Sequence, residues 1–242
     1  MALNTYSALK TSIANWLNRS DLTSEISGDF IVLTEKDFNS KLRIRKMITT
    51  DSSFTIDAET VALPSGFLQV RDFYILNGGV KYALKYITPA QMDQIKGGST
   101  TGQPNTFTIL GDNFRFAPAP SSSYTGVLNY YKEFDALSDS NTSNYILANH
   151  PAIYLYGSLY HAANFLGGVD PQRLQQWQRM YETSMERLDR NDREDQYGNA
   201  PLQQRTDVTV ADTKGAKISK ASLNKGERTQ SQTSHHWVSW SG

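Results

Sequence analysis

The sequence predicts an α+β fold: a four-helix bundle built from N- and C-terminal helix pairs, with a β-rich insertion and an extended C-terminal tail. Three observations carry this reading. Apolar residues recur at helical spacing up to about Met47 and again from Asn144 onward. Between them lie short runs rich in β-branched and aromatic residues, separated by Pro, Gly, Asn and Ser. Beyond residue 199 the chain is polar and loses its apolar periodicity, the composition of a segment that has no core of its own. The implied units are 1–47 with 139–198 (helical), 48–138 (β-rich) and 199–242 (tail).

Each element has a local reason. Leu9, Ile13, Trp16 and Leu17 mark a first helix over residues 5–19, with Thr5 as its N-cap. Asp21 or Thr23 opens a second helix running to about Met47, with one stripe of Ile26, Phe30 and Leu33 and another of Ile31, Phe38 and Leu42. Its end, KLRIRKM, places Arg43, Arg45 and Lys46 where a helix C-terminus favours cations. In the insertion, FTILGDNFRFAPAP reads as a hairpin turning at Gly111, Asp112 and Asn113. TPAQMDQIK reads as a short helix with Thr88 as cap and Pro89 at the first helical position. Pro151 opens AIYLYGSLYHAANFL, apolar nearly all round and so buried on every side, in a core or between subunits. Asp170 caps and Pro171 starts a last helix, on which Leu174, Trp177, Tyr181, Met185 and Leu188 form a nearly heptad seam.

Composition excludes several classes of function. The 242 residues carry a formal charge of +0, so no global field draws nucleic acid or anionic lipid. There is no cysteine, which removes disulfides, thiolate catalysis and Cys-based zinc sites. MALNTYSALK does not read as a signal peptide, and no stretch reaches eighteen consecutive apolar residues. The expectation is a soluble, cytoplasmically assembled protein with no membrane partner.

Motifs of catalysis are weak throughout. GGSTTGQP at 97–104 has the glycine spacing of a phosphate loop, but Gln103 stands where the lysine belongs and Pro104 replaces the hydroxyl. Ser158 and His161 lie three apart on the apolar helix and are the candidate nucleophile and base of a small hydrolase, the alternative from a different class. No acidic residue lies nearby in sequence to orient that imidazole. His235 and His236 are adjacent, a poor chelate in an extended chain, and no metal or cofactor is expected. DRNDRED alternates acids with arginines and reads as a solvated helix end.

Aromatic residues at packing positions point instead to contact with other chains. The candidates for a subunit interface are Tyr154, Tyr156, Tyr160, Trp177 and Tyr181. The candidates for partner binding in the tail are Trp237 and Trp240 with His236 and Val238, and the β-prone Val208 and Val210. The tail carries six basic residues from Arg205 to Arg228 against three acidic ones, a weak attraction to a DNA backbone at most.

The segment TYSALKTSIANWLNRSDLTSEISGDFIVLTEKDFNSKLRIRKM resembles the N-terminal signature of tailed-phage head-to-tail adaptor (connector) proteins. LPSGFLQVRDFYIL, YITPAQMD, FTILGDNFRFAPAP, YTGVLNYYKEFDALSDSNTSNYIL, PAIYLYGSLYHAANFLGG and DPQRLQQWQRMYE follow in the family's order, so the resemblance covers about residues 4–195. It implies a structural virion protein and no enzyme. It further implies a dodecameric ring in the neck between capsid portal and tail, joining the portal to the tail or nozzle and leaving a channel for DNA. By the same resemblance the C-terminal tail anchors to the portal, and fibres are a further partner. The alternative within structural proteins is another tail component, for tail completion or fibre attachment.

Overall fold

The computed structural model describes residues 3–95 and 101–197, and the tail beyond them, 199–242 with its candidate residues, lies outside the described residues. The fold is α+β. Helix α1, Tyr6–Leu17, starts where Thr5 Oγ1 accepts a hydrogen bond from the Ala8 amide at 3.3 Å and stops at Asn18, whose φ of 53° lies in the left-handed region. Leu9 and Ile13 are fully buried, whereas Trp16 of the same stripe is 44% exposed.

Helix α2 covers residues 23–41 and begins after Leu22, which gives no side-chain cap. Asp21 instead forms a forked pair with Arg19, both contacts 2.7 Å. Its second turn, Ile26–Phe30, is π-helical. A π turn inserts one residue into the helical register. The buried face therefore runs through Ile26, Phe30, Ile31, Thr34 and Phe38, and the expected stripe residue Leu33 is rotated outward to 49% exposure. The helix ends at Lys41, not Met47. Leu42 and Ile44 turn inward with a period of two, exposed by 4% and 0%, which an extended backbone allows and a helix does not. A 3-10 turn, Arg45–Met47, follows. The basic residues still serve the helix end, since Arg43 Nη1 donates to the Asn39 carbonyl at 2.9 Å.

Among the described residues, ten strands and a short helix make the β-rich unit. They are β1 (Ile48–Ile56), β2 (Thr60–Ala62), β3 (Phe67–Asn77), β4 (Val80–Ala83), β5 (Lys85–Tyr86), helix α3 (Pro89–Ile95), β6 (Thr101–Gly102), β7 (Thr106–Leu110), β8 (Asn113–Ala117), β9 (Ala119–Pro120) and β10 (Tyr124–Lys132). One sheet has the order β1-β10-β3-β4 and is antiparallel throughout. A second has the order β2-β8-β7-β5, with β5 parallel to β7, and β6 and β9 form a short parallel pair of their own. The chain passes from the first sheet to the second at Leu84, whose amide still bonds the Phe73 carbonyl. Between the sheets lies an aromatic core in which Phe73 meets Phe54, Phe107, Phe114 and Phe116 at centroid distances of 5.3–5.7 Å. Edge-to-face pairs of this kind contribute about 0.5–1.5 kcal/mol each beyond their buried area.

The local expectations here hold with small shifts. The β7–β8 turn is Gly111–Asp112, with Asn113 already paired to Leu110. Thr88 caps α3 reciprocally with Gln91 (3.4 and 3.1 Å). Residues 101 and 102 of the glycine-rich loop pair with β9, while 96–100 lie outside the described residues.

Three C-terminal helices complete the fold: α4 (Tyr145–Asn149), α5 (Pro151–Leu166) and α6 (Pro171–Tyr197). Helix α5 packs against α1, α2 and α6, and its buried residues meet those of all three in one core. Asp170 Oδ1 accepts from the Gln172 amide at 3.1 Å, as its cap position predicts. Among the described residues no helix is long and apolar enough to cross a membrane.

Candidate partner-binding surfaces

The apolar helix α5 uses most of its surface inside its own chain. Tyr154 is fully buried; its hydroxyl donates to Glu35 Oε1 at 2.9 Å and accepts from Asn144 Nδ2 at 2.6 Å. Glu35 also accepts the Leu137 amide at 2.8 Å. Burial pushes the Glu35 carboxyl above its ordinary range, and burial beside that carboxyl pushes the Tyr154 phenol up as well. The phenol thus stays protonated and remains a donor.

The seam on α6 is likewise internal. Trp177 and Tyr181 are exposed by only 3% and 4%, with Arg173 stacked on the Trp177 ring at 4.8 Å. The Tyr181 hydroxyl donates to Asp37 Oδ2 at 2.7 Å, and Lys41 Nζ reaches the same oxygen at 2.8 Å. So the structure places Tyr154, Trp177 and Tyr181 in this chain's own core. Their spacing and aromatic character serve its own helix packing.

Ser158 and His161 do not build a nucleophile and base. Ser158 is fully buried, with its hydroxyl 3.4 Å from Thr34 Oγ1, which leaves no space for a substrate. His161 Nε2 is buried without a hydrogen-bond partner, and burial lowers the imidazole pKa. Among the described residues no group of His, Asp or Glu could hold a metal ion.

Among the described residues, Val32, Leu33 and Met180 are exposed on the helices, and apolar side chains are also exposed on both sides of α5. On one, Trp16 packs edge-to-face on Tyr156 at 5.9 Å, and Tyr160, one turn on from Tyr156, is also only partly buried. On the other, Phe165 is 58% exposed and packs on Phe30 at 5.5 Å. Tyr156 and Phe165 are nine residues apart, roughly two and a half helical turns, so the two faces lie on opposite sides of α5. Trp16 marks helical spacing in the sequence, and Phe165 lies in the helix expected to be buried on every side, in a core or between subunits; both are exposed in this chain. The signal for Phe165 was its place at the end of a helix already full of apolar residues.

Two grooves accompany these faces. One of about 510 Å³ lies between the end of α2 and α6, with Lys41 and Arg43 on one wall and Glu182, Glu186 and Asp189 on the other. The second, about 790 Å³, opens between β3 and the β5–β7 edge and is lined by Val70, Arg71, Lys81, Tyr86, Phe107 and Ile109. The tail candidates Val208, Val210, His236, Trp237, Val238 and Trp240 lie outside the described residues.

No curated protein sequence matches the chain. A family model described as SU10 adaptor protein matches residues 4–205, which is most of the chain and contains every element described above. That agrees with the resemblance in the ordered motifs and with a helical core built for packing. The chain belongs to the SU10 adaptor protein family, a family of phage head-to-tail adaptors, and is a structural component of a virion.

Proposed function

We propose that the protein forms a ring of identical subunits in the neck of the particle, joins the portal to the tail or nozzle, and lines the channel through which DNA leaves. The observation that carries this reading is the family match over residues 4–205. The helical surfaces support it. A closed ring needs two different, complementary faces on opposite sides of each subunit. The exposed Trp16 with Tyr156 and the exposed Phe165, on opposite sides of α5, are two different apolar surfaces that support this reading. Tyr156 and Tyr160 are the interface candidates that keep surface to offer, alongside Trp16 and Phe165. Around them helices α1, α2, α5 and α6 act as the ring-forming unit in this proposal, twelve copies being the number expected from the family resemblance.

The tail, 199–242, anchors to the portal in this proposal, with Trp237 and Trp240 as its grips. Ordering a polar segment costs about 1–2 kcal/mol per residue, more than two buried tryptophans offset. Contact along the whole tail is required, and strand addition through Val208 and Val210 supplies it. The test is retention of the full chain on immobilised portal, against a chain ending at residue 198. Loss of retention on truncation supports portal anchoring; equal retention refutes it.

A further inference from the structure

The helical and β-rich parts of the described chain have separate cores. The buried residues of one include none of the other, and at the junction Leu68, Tyr131 and Phe134 pack on the helical core while only partly buried. The chain crosses between the parts twice. At the first crossing Met47 is buried among the helices and β1 begins at the next residue. Arg45 bolts this crossing down: its amide and Nε both reach Asp192 of α6, at 3.0 and 3.1 Å.

The second crossing, residues 133–137, combines apolar and polar contacts: Leu137 is buried in the helical core and Phe134 packs on Phe38 and Tyr145. One turn of α2 grips its backbone and side chains through polar groups. Glu35 Oε1 accepts the Leu137 amide at 2.8 Å, Asn39 Oδ1 accepts the Phe134 amide at 3.1 Å, and Lys36 Nζ meets Glu133 Oε2 at 3.1 Å. Glu35 and Asn39 are each 4% exposed, so two amides of the crossing depend on two buried side chains. Beside them lies a cavity of about 250 Å³, lined by Glu35, Asn39, Gly66, Lys132, Phe134 and Ala136. Directional hydrogen bonds beside open space set an angle, and the partly buried apolar contacts of Leu68, Tyr131 and Phe134 at this junction fall short of a shared, fully buried core.

We propose that residues 35–39 of α2 are a polar latch that sets the angle between the helical and β-rich parts, and that its release lets the β-rich part swing about the crossing at Met47–Ile48. Such motion is a hinge, absorbed at a few residues between two rigid units. This inference is independent of which partners the protein joins.

The chain has no cysteine, so two can be introduced for spin labels without removing any. Asp57→Cys on the β-rich part and Thr183→Cys on α6 are both exposed. The distance distribution between the labels is measured by double electron–electron resonance in the full chain. The expected result is one narrow distribution for the parent and for Glu35→Gln, which keeps an acceptor oxygen. Asn39→Ala and Glu35→Ala should broaden it and add a second population. If Glu35→Ala does not fold, Asn39→Ala decides. A parent-like distribution in the folded alanine variants, or broadening in Glu35→Gln equal to theirs, overturns the latch.

Discussion

Gly157→Ala places one methyl group where α5 meets α2 and α6. That methyl carbon would stand 2.5 Å from Thr34 Cγ2 and 3.0 Å from Tyr181 Cε2. Thr34 cannot turn aside freely, because its hydroxyl donates to the Phe30 carbonyl at 2.7 Å and is buried against Ser158. Helix propensity alone favours alanine over glycine by about 1 kcal/mol. Overpacking a close-packed core costs about 1–3 kcal/mol, and breaking the Thr34 hydrogen bond adds about 1 kcal/mol. The clash outweighs the propensity, leaving a net loss of about 1–3 kcal/mol. In a chain of this size each kcal/mol lowers Tm by roughly 2–4 °C. Urea unfolding followed by circular dichroism should show a lower midpoint with an unchanged slope. Thr34→Ser removes the obstructing methyl, so the double variant should recover part of the loss, a coupling that a double-mutant cycle measures. If Gly157→Ala is as stable as the parent or more so, the close approach of α5 to α2 is wrong.

Three further outcomes are expected. The carboxyl of Glu35, raised by burial, contributes stability below the unfolded carboxylate pKa, and that contribution is lost as pH rises through the folded value. Glu35→Gln should therefore gain stability on the parent as pH rises toward neutrality and match it in acid, as read from unfolding midpoints across pH; a constant difference contradicts the burial argument. Phe165→Ser and Trp16→Ala should weaken self-association in light scattering; Phe165→Ser, which also removes the edge-to-face contact with Phe30, should lower stability by about 0.5–1.5 kcal/mol. Assembly unchanged in both variants would remove these faces from the ring. Trp237→Ala combined with Trp240→Ala should weaken portal retention less than deletion of 199–242, and wild-type retention by the double variant would show that the tryptophans are not anchors.

Much of the fold was legible where the chemistry is local. Thr5, Thr88 and Asp170 cap the helices they were expected to cap because a cap needs only neighbouring amides. The aromatic β unit announced itself by short alternating runs, and the Gly78–Gly79 turn of β3–β4, with φ of 59° and 78°, carries an equally local signal in NGG. The π turn at Ile26–Phe30 was not legible, since one inserted residue shifts a stripe without changing composition; Leu33 was misplaced for that reason. KLRIRKM satisfied the charge rule for a helix end, but the alternation of Leu42 and Ile44 was the better guide.

The surfaces were harder to read than the elements. Helical spacing on α6 looks the same whether the seam meets a neighbouring helix or another copy, and Trp177 and Tyr181 meet their own chain. Glu35 gave no signal at all. Its partners Leu137 and Tyr154 are far away in sequence, so only the folded chain turns a charged residue into a buried acceptor.

The central claim is that this chain is a ring subunit between portal and tail, and electron cryomicroscopy of the intact particle's neck tests it most directly. The expected map shows repeated copies of the helical unit closed into a ring against the portal, with Trp16 and Tyr156 of one copy facing Phe165 of the next. Density for the chain away from the portal, or as isolated subunits, would contradict it.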